Sequence, residues 1–284
     1  MKNRPFFFFP KAAAFMLLVF AACDNGNLPV KDKIEYYRAL VSVDTWEDLR
    51  QKAEDVESGY AFFLLNDLEA SGDPVIIDGK HITVMSAGTK TITRAADFWR
   101  SFFEVKNGGS LTVGDNRGSL VLDGNKAAFP SSPSYPASLI TVLEGNLVLN
   151  NSTLRNNKCN DIGGGVRFEG SGSFTMNNSV ISGNRVGNTT APPPPPPPPP
   201  PCPLGQGGGV YFKSIGGGSF TMNNSVILDN GTDYQDIEED YGGCGGGVFF
   251  HCFSGNGSFT MNNSVISENI NEHTDSHSGT QSTG

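Results

Sequence analysis

Long apolar runs are nearly missing from this 284-residue chain. The one sustained stretch, Ala12 to Ala22, is shorter than the roughly 20 residues a membrane-spanning helix needs. Only four histidines and two tryptophans occur. His273 and His277 stand in a polar tail where no helix is expected to bring them together, and His251 ends a repeat strand beside Cys252, a packing or surface position. No cysteines form a CxxC pair, which disfavours a zinc or redox centre. No GxSxG elbow or GxxxxGK[ST] loop is found. Four glycine triplets are present, but they lead into strands and lack the helix N-terminus that a phosphate site uses. Basic clusters are absent too. The expectation is a chain with no catalytic, cofactor or metal residues and no nucleic-acid partner.

The N-terminus reads as a processed leader. Lys2, Arg4 and Lys11 precede the short apolar run, as in a signal peptide over residues 1–22. Phe20-Ala21-Ala22-Cys23 resembles a bacterial lipobox, with phenylalanine in place of the usual leucine, which implies lipidation at Cys23. Each buried acyl CH₂ adds ~0.8 kcal/mol of membrane affinity, so several chains there would anchor the protein. Residues 23–33 would be the tether. Losing the leader leaves 17 basic residues against 29 acidic ones, a formal charge of −12 that repels nucleic acid and anionic headgroups. Cys159, Cys202, Cys244 and Cys252 would reach an oxidising compartment, where four cysteines allow three pairings.

The remainder is dominated by repetition. Gly-Ser-Phe-Thr-Met-Asn-Asn-Ser-Val-Ile occurs unchanged from Gly172, Gly218 and Gly257. Each copy follows a Gly-Gly-Gly-Val-x-Phe element, starting at Gly163, Gly207 and Gly245, and each unit closes on Asn184, Asn230 or Asn269. Period-two alternation makes these segments strands, with Val166, Phe168, Phe174 and Met176 inward. Asn177-Asn178 serves as one corner, because asparagine tolerates left-handed backbone, and the glycines serve as another. Three short strands per unit make one coil of a parallel β-helix. Counterparts then stack about 4.8 Å apart. Phe174, Phe220 and Phe259 would form one column, and Asn177, Asn223 and Asn262 an amide ladder. Like charges at that spacing repel by roughly 0.9 kcal/mol even in water, which accounts for a decapeptide without ionisable residues. The outward position between Val and Phe varies as Arg167, Tyr211 and Phe249, a candidate binding strip.

Weaker copies carry the pattern backwards. Leu147 to Leu154 aligns with Phe174 to Ile181, and Ser119 to Asn125, Ser110 to Val113 and Val75 to Gly79 continue it. The β-helix is expected over residues 72–270, and residues 271–284 as a disordered tail. Residues 34–71 would form an N-terminal cap with a helix near 45–57, opened by Thr45 and carrying Trp46, Leu49, Ala53 and Val56 at helical spacing. No matching cap follows Asn269; this end is expected either to be truncated or to dock on a partner. Pro192 to Pro201 form an extended rod of about 31 Å that cannot join a sheet, read as a projecting spacer. The acidic stretch from Asp229 to Asp240 reads as a solvated loop.

The Gly-Gly-Gly-Val and Phe-Thr-Met-Asn elements resemble the repeats of the polymorphic outer-membrane protein family, which carry Gly-Gly-Ala-Ile and Phe-x-x-Asn. The resemblance covers residues 163–269 well and 108–157 loosely. It implies a surface-exposed, right-handed parallel β-helix of the pectin-lyase-like kind, with an adhesive role. That family ends in an outer-membrane barrel; none is expected here, and a lipid on Cys23 would replace it. The aspartate clusters and basic residues of pectate-lyase-like or polygalacturonase-like chemistry are not found on the strands; Asp78 and Asp123 each precede a turn glycine. The expectation is a non-enzymatic bacterial lipoprotein of the outer membrane or cell surface, displaying variable loops to a host, matrix or glycan ligand. Alternatives are a polysaccharide-binding or polysaccharide-degrading β-helix and a structural coat protein.

Overall fold

Alternating apolar and polar residues, broken every four to seven positions by Gly or Asn, oblige the chain to bend before a strand grows long. The computed structural model describes residues 40–129, 136–160, 162–187, 206–234 and 244–273. Residues 1–22, expected as a leader, Cys23 and its expected tether 23–33, the polyproline stretch 192–201, Cys202 and residues 274–284 lie outside the described residues.

The described residues are mostly β and build four sheets, all of parallel strands. Sheet I joins Leu40–Val43, Tyr60–Leu64, His81–Ser86, Ser110–Val113, Asn146–Asn150, Ser173–Asn177, Ser219–Asn223 and Ser258–Asn262, in that order. Sheet II joins Val75–Asp78, Phe103–Lys106, Ile140–Leu143, Val166–Gly170, Val210–Ile215 and Val248–Ser254. Sheet III joins Leu68–Ala70, Gly88–Arg94, Gly118–Asp123, Ser152–Arg155, Val180–Ser182, Val226–Leu228 and Val265–Ser267. Sheet IV joins Lys158–Cys159, Arg185–Gly187, Gly231–Tyr234 and Ile270–His273. The chain visits sheets I, III and II in turn, then returns to I one rung further on. From Lys158 it also touches sheet IV on each pass. This arrangement is consistent with a parallel β-solenoid.

The duplicated decapeptides lie in register, Phe174 on Phe220 on Phe259 and Met176 on Met222 on Met261. The rings of Phe174 and Phe220 stack at 4.6 Å and those of Phe220 and Phe259 at 4.8 Å. A second column, Phe168–Phe212–Phe250, runs beside it at 4.5 and 5.2 Å. Asn178, Asn224 and Asn263 take φ of 48°, 46° and 46°, the left-handed corner expected of this position. Gly163, Gly207 and Gly245 supply the other corner at 65°, 66° and 67°.

Two differences from expectation concern extent. Parallel pairing begins at Leu40–Val43 with Tyr60–Leu64, ahead of residue 72, and it continues through Ile270–His273 into the stretch expected to be a disordered tail. The early strands, such as Tyr60–Leu64, are apolar on both faces, so they lack the alternation that marks the later ones. The third difference is the fourth strand. Arg185–Gly187 and its counterparts follow the closing asparagines and carry too few residues to show a period.

The helix falls where expected. Helix α1 spans Trp46–Asp55, and Thr45 Oγ1 accepts from Asp48 N at 3.1 Å. Its C-terminal carbonyls are met by Lys80, whose Nζ donates to Ala53, Glu54 and Val56 O at 2.9, 2.9 and 3.1 Å. Trp46, Leu49 and Ala53 are buried against the first coil, and the Trp46 ring meets Phe98, Phe102 and Phe103 edge-on at 5.9 to 6.0 Å.

Candidate binding face

Three hydrogen-bonded columns hold the later coils in place. In the outer amide ladder, Asn177, Asn223 and Asn262 each donate Nδ2 to the Oδ1 of the asparagine one rung before, at 2.9, 2.9 and 2.8 Å, and Asn150 supplies the first acceptor. A serine column, Ser152–Ser179–Ser225–Ser264, passes backbone N–H to the next Oγ at 3.1 Å on each step. The closing asparagines form a buried ladder: Asn184 Oδ1 accepts from Asn157 N at 3.1 Å, Asn230 Oδ1 from Asn184 N at 3.1 Å and Nδ2 at 2.9 Å, and Asn269 Oδ1 from Asn230 N at 3.0 Å. Sequence reasoning found the first ladder and missed the other two. The recurrence of Ser179 and of the closing asparagines was their signal.

These columns leave the decapeptide's polar groups engaged with one another, so variation is confined elsewhere. Sheet II carries it on its outer face. One outward column reads Ile76, Glu104, Thr141, Arg167, Tyr211, Phe249; the next reads Asp78, Lys106, Leu143, Glu169, Lys213, His251. The expected strip of Arg167, Tyr211 and Phe249 is therefore real as three consecutive rungs. Its solvent exposure is not as expected. Tyr211 is only 7% exposed, its ring lying flat on Phe249 at 5.5 Å and 3°. Desolvation raises the Tyr211 phenol above its usual range, Glu169 adds to this, and Arg167 opposes it. Arg167 pairs with Glu169 along its own strand at 2.6 Å.

Two hollows open on this face. One of about 450 Å³ is bordered by Arg50 and Glu54 of α1 and by Ile76, Asp78 and Glu104 of the sheet. The other, about 240 Å³, is bordered by Trp99, Thr141, Cys159 and Arg167. Trp99 is 43% exposed and braced edge-on by Phe129 at 5.2 Å. It escaped sequence reading because it sits in a non-repeating loop between the inward Phe98 and Phe102. Further along, Phe253 is 66% exposed with Lys213 Nζ 5.0 Å above its ring.

Behind the smaller hollow lies Arg94, fully buried. Its guanidinium donates to the carbonyls of Phe98, Arg100 and Ala137 at 2.9, 2.5 and 3.2 Å, and it rests over the Phe102 ring at 4.9 Å. Burial lowers its pKa to about 9, with Cys159 acting in the opposite direction. It remains a cation at neutral pH and ties the 95–101 loop to residue 137. Of the remaining cysteines, Cys244 is disulfide-bonded, whereas Cys159 is a buried thiol and Cys252 an exposed one. No group of three or more His, Cys, Asp or Glu placed to hold a metal ion occurs among the described residues.

On this face the Trp99 ring has room for an apolar ring or sugar plane beside Arg167, which is paired with Glu169, and Thr141, whose Oγ1 lies 2.8 Å from Ser101 Oγ. No protein-family model matches the chain, and no curated protein matches it significantly.

Proposed function

We propose that the chain is a non-enzymatic bacterial lipoprotein, anchored through Cys23 at the outer membrane or cell surface, whose single right-handed parallel β-helix displays variable side chains and loops for adhesion or ligand binding. The observation that carries this reading is the division on sheet II. Inward columns keep Val and Phe over the last three coils, while the outward position between them changes from Arg167 to Tyr211 to Phe249. A protein free to vary only what it shows is suited to binding. The right hand follows from the strong preference of parallel crossovers, and the resemblance to the repeats of the polymorphic outer-membrane protein family supports the surface location.

A glycan-binding reading is favoured by Trp99, exposed beside Arg167 on one hollow. Protease treatment of intact cells tests the location. Release of peptides from residues 159–250 is expected, together with loss of membrane association in Cys23→Ser. Full protection of that region on intact cells, with digestion only after lysis, would refute surface display.

A further inference from the structure

Each inward column of the later coils stops uncovered at the last rung. Phe220 and Met222 are fully buried, but Phe259 and Met261, one coil on, are 37% and 40% exposed. Cys252 is exposed in register with Ser214, which is fully buried. All five residues of Ser258–Asn262 are exposed, and among the described residues no strand pairs with their outer edge. This end presents apolar side chains and an open backbone edge together, the combination that recruits another strand.

Three facts narrow the occupant. At the opposite end α1 lies over the first strands of sheets II and III and buries Trp46, Leu49 and Ala53, so a copy stacking head to tail would meet this helix there. Residues 274–284 contain no Ala, Val, Ile, Leu, Met, Phe, Tyr or Trp to lay over Phe259 and Met261. The chain carries a net −9, yet residues 253–267 contain no ionisable side chain, so two acidic copies meet with least repulsion at this end.

We propose that this end docks on the same end of a second copy across a two-fold axis, with Ser258–Asn262 pairing antiparallel to its counterpart. An axis through Thr260 sets Phe259 opposite Met261 of the partner subunit on the inward side, and Ser258 opposite Asn262 of the partner subunit. The interface is isologous and closes at two copies. It does not depend on the ligand-binding reading, because it uses the coil end and leaves the outer face of sheet II open.

Sedimentation analysis of the full chain carrying Cys23→Ser tests it. The expected result is a reversible dimer of twice the 30.3 kDa chain. Thr260→Lys or Thr260→Glu alone sets like charges face to face on the axis and should weaken dimerisation at least about tenfold. An equimolar mixture of the two variants should restore it, which a merely misfolded variant would not do. Thr221→Lys, the same outward column one coil inward, should leave dimerisation unchanged. A chain monomeric at ~100 μM, a dimer indifferent to charge at 260, or a mixture that fails to recover would each overturn the proposal.

Discussion

Asn230 and Asn223 occupy one coil, seven residues apart, and both stand in asparagine ladders, so one substitution at each separates burial from residue type. Asn230→Leu keeps the branched outline of the side chain and removes the amide. Asn184, 0% exposed, then loses the acceptor of its backbone N–H and of one Nδ2 hydrogen, because its other Nδ2 contact goes to Leu154 O at 3.2 Å. Two buried donors without partners cost about 1–3 kcal/mol each, so a loss near 4 kcal/mol is expected. Asn223→Leu breaks two bonds of similar length, to Asn177 and Asn262, but these groups are part-buried or exposed. Water replaces the lost partners there, and about 1 kcal/mol is expected. Denaturant midpoints at equal m-value measure the difference. Amide exchange at Asn184 reads it locally, which matters because coils of a repeat structure can open separately. Equal losses at the two positions would refute the claim that buried ladders, rather than asparagine stacking in general, hold the coils together.

Two other expectations follow from close approach and from titration. A Cβ at Gly208 would overlap the carbonyl oxygen of Gly246 and come within 2.5 Å of both N and O of Gly231, so Gly208→Ala should destabilise by about 3 kcal/mol; an unchanged melting temperature would refute this. The Tyr211 phenol is raised by desolvation, so above the usual tyrosine value the unfolded chain has lost a proton that the folded chain keeps, and stability should fall as pH rises through that range. Tyr211→Phe should flatten the difference in stability between roughly pH 9 and pH 11; an identical slope in both proteins would count against it.

Much of the stacking was legible in the sequence because repetition reports it directly. Phe174, Phe220 and Phe259 share a context of ten residues, and only equivalent positions in equivalent coils call for that. Thr45 and the spacing of Trp46, Leu49 and Ala53 marked α1 for an equally local reason, a cap and a period. The first coils were harder. Phe62, Phe63 and Leu64 are consecutive and all at or below 9% exposure, so no alternation announces a strand. The candidate face was half legible. Arg167, Tyr211 and Phe249 were found as a column, but the burial of Tyr211 depends on neighbouring rungs, and Trp99 belongs to no repeat. Arg94 gave no sign in the sequence that it would be buried on the backbone carbonyls of Phe98, Arg100 and Ala137.

What the amino-acid order determined by itself is periodic: which residues face inward, where the chain must bend, and that the units pile up in register with like on like. Period, glycine and asparagine corners, and the exclusion of charge from stacked positions act within one coil and its neighbours, so they can be read in one dimension. What only the tertiary structure decided is which polar atoms meet between coils and which surfaces remain open. The Asn184–Asn230–Asn269 ladder, the hollow between Trp99 and Arg167, and the uncovered rung at Phe259 all arise from neighbouring groups 39 to 68 residues apart. Their separation in the chain varies with connectors of unequal length, and only stacking brings them to a common height.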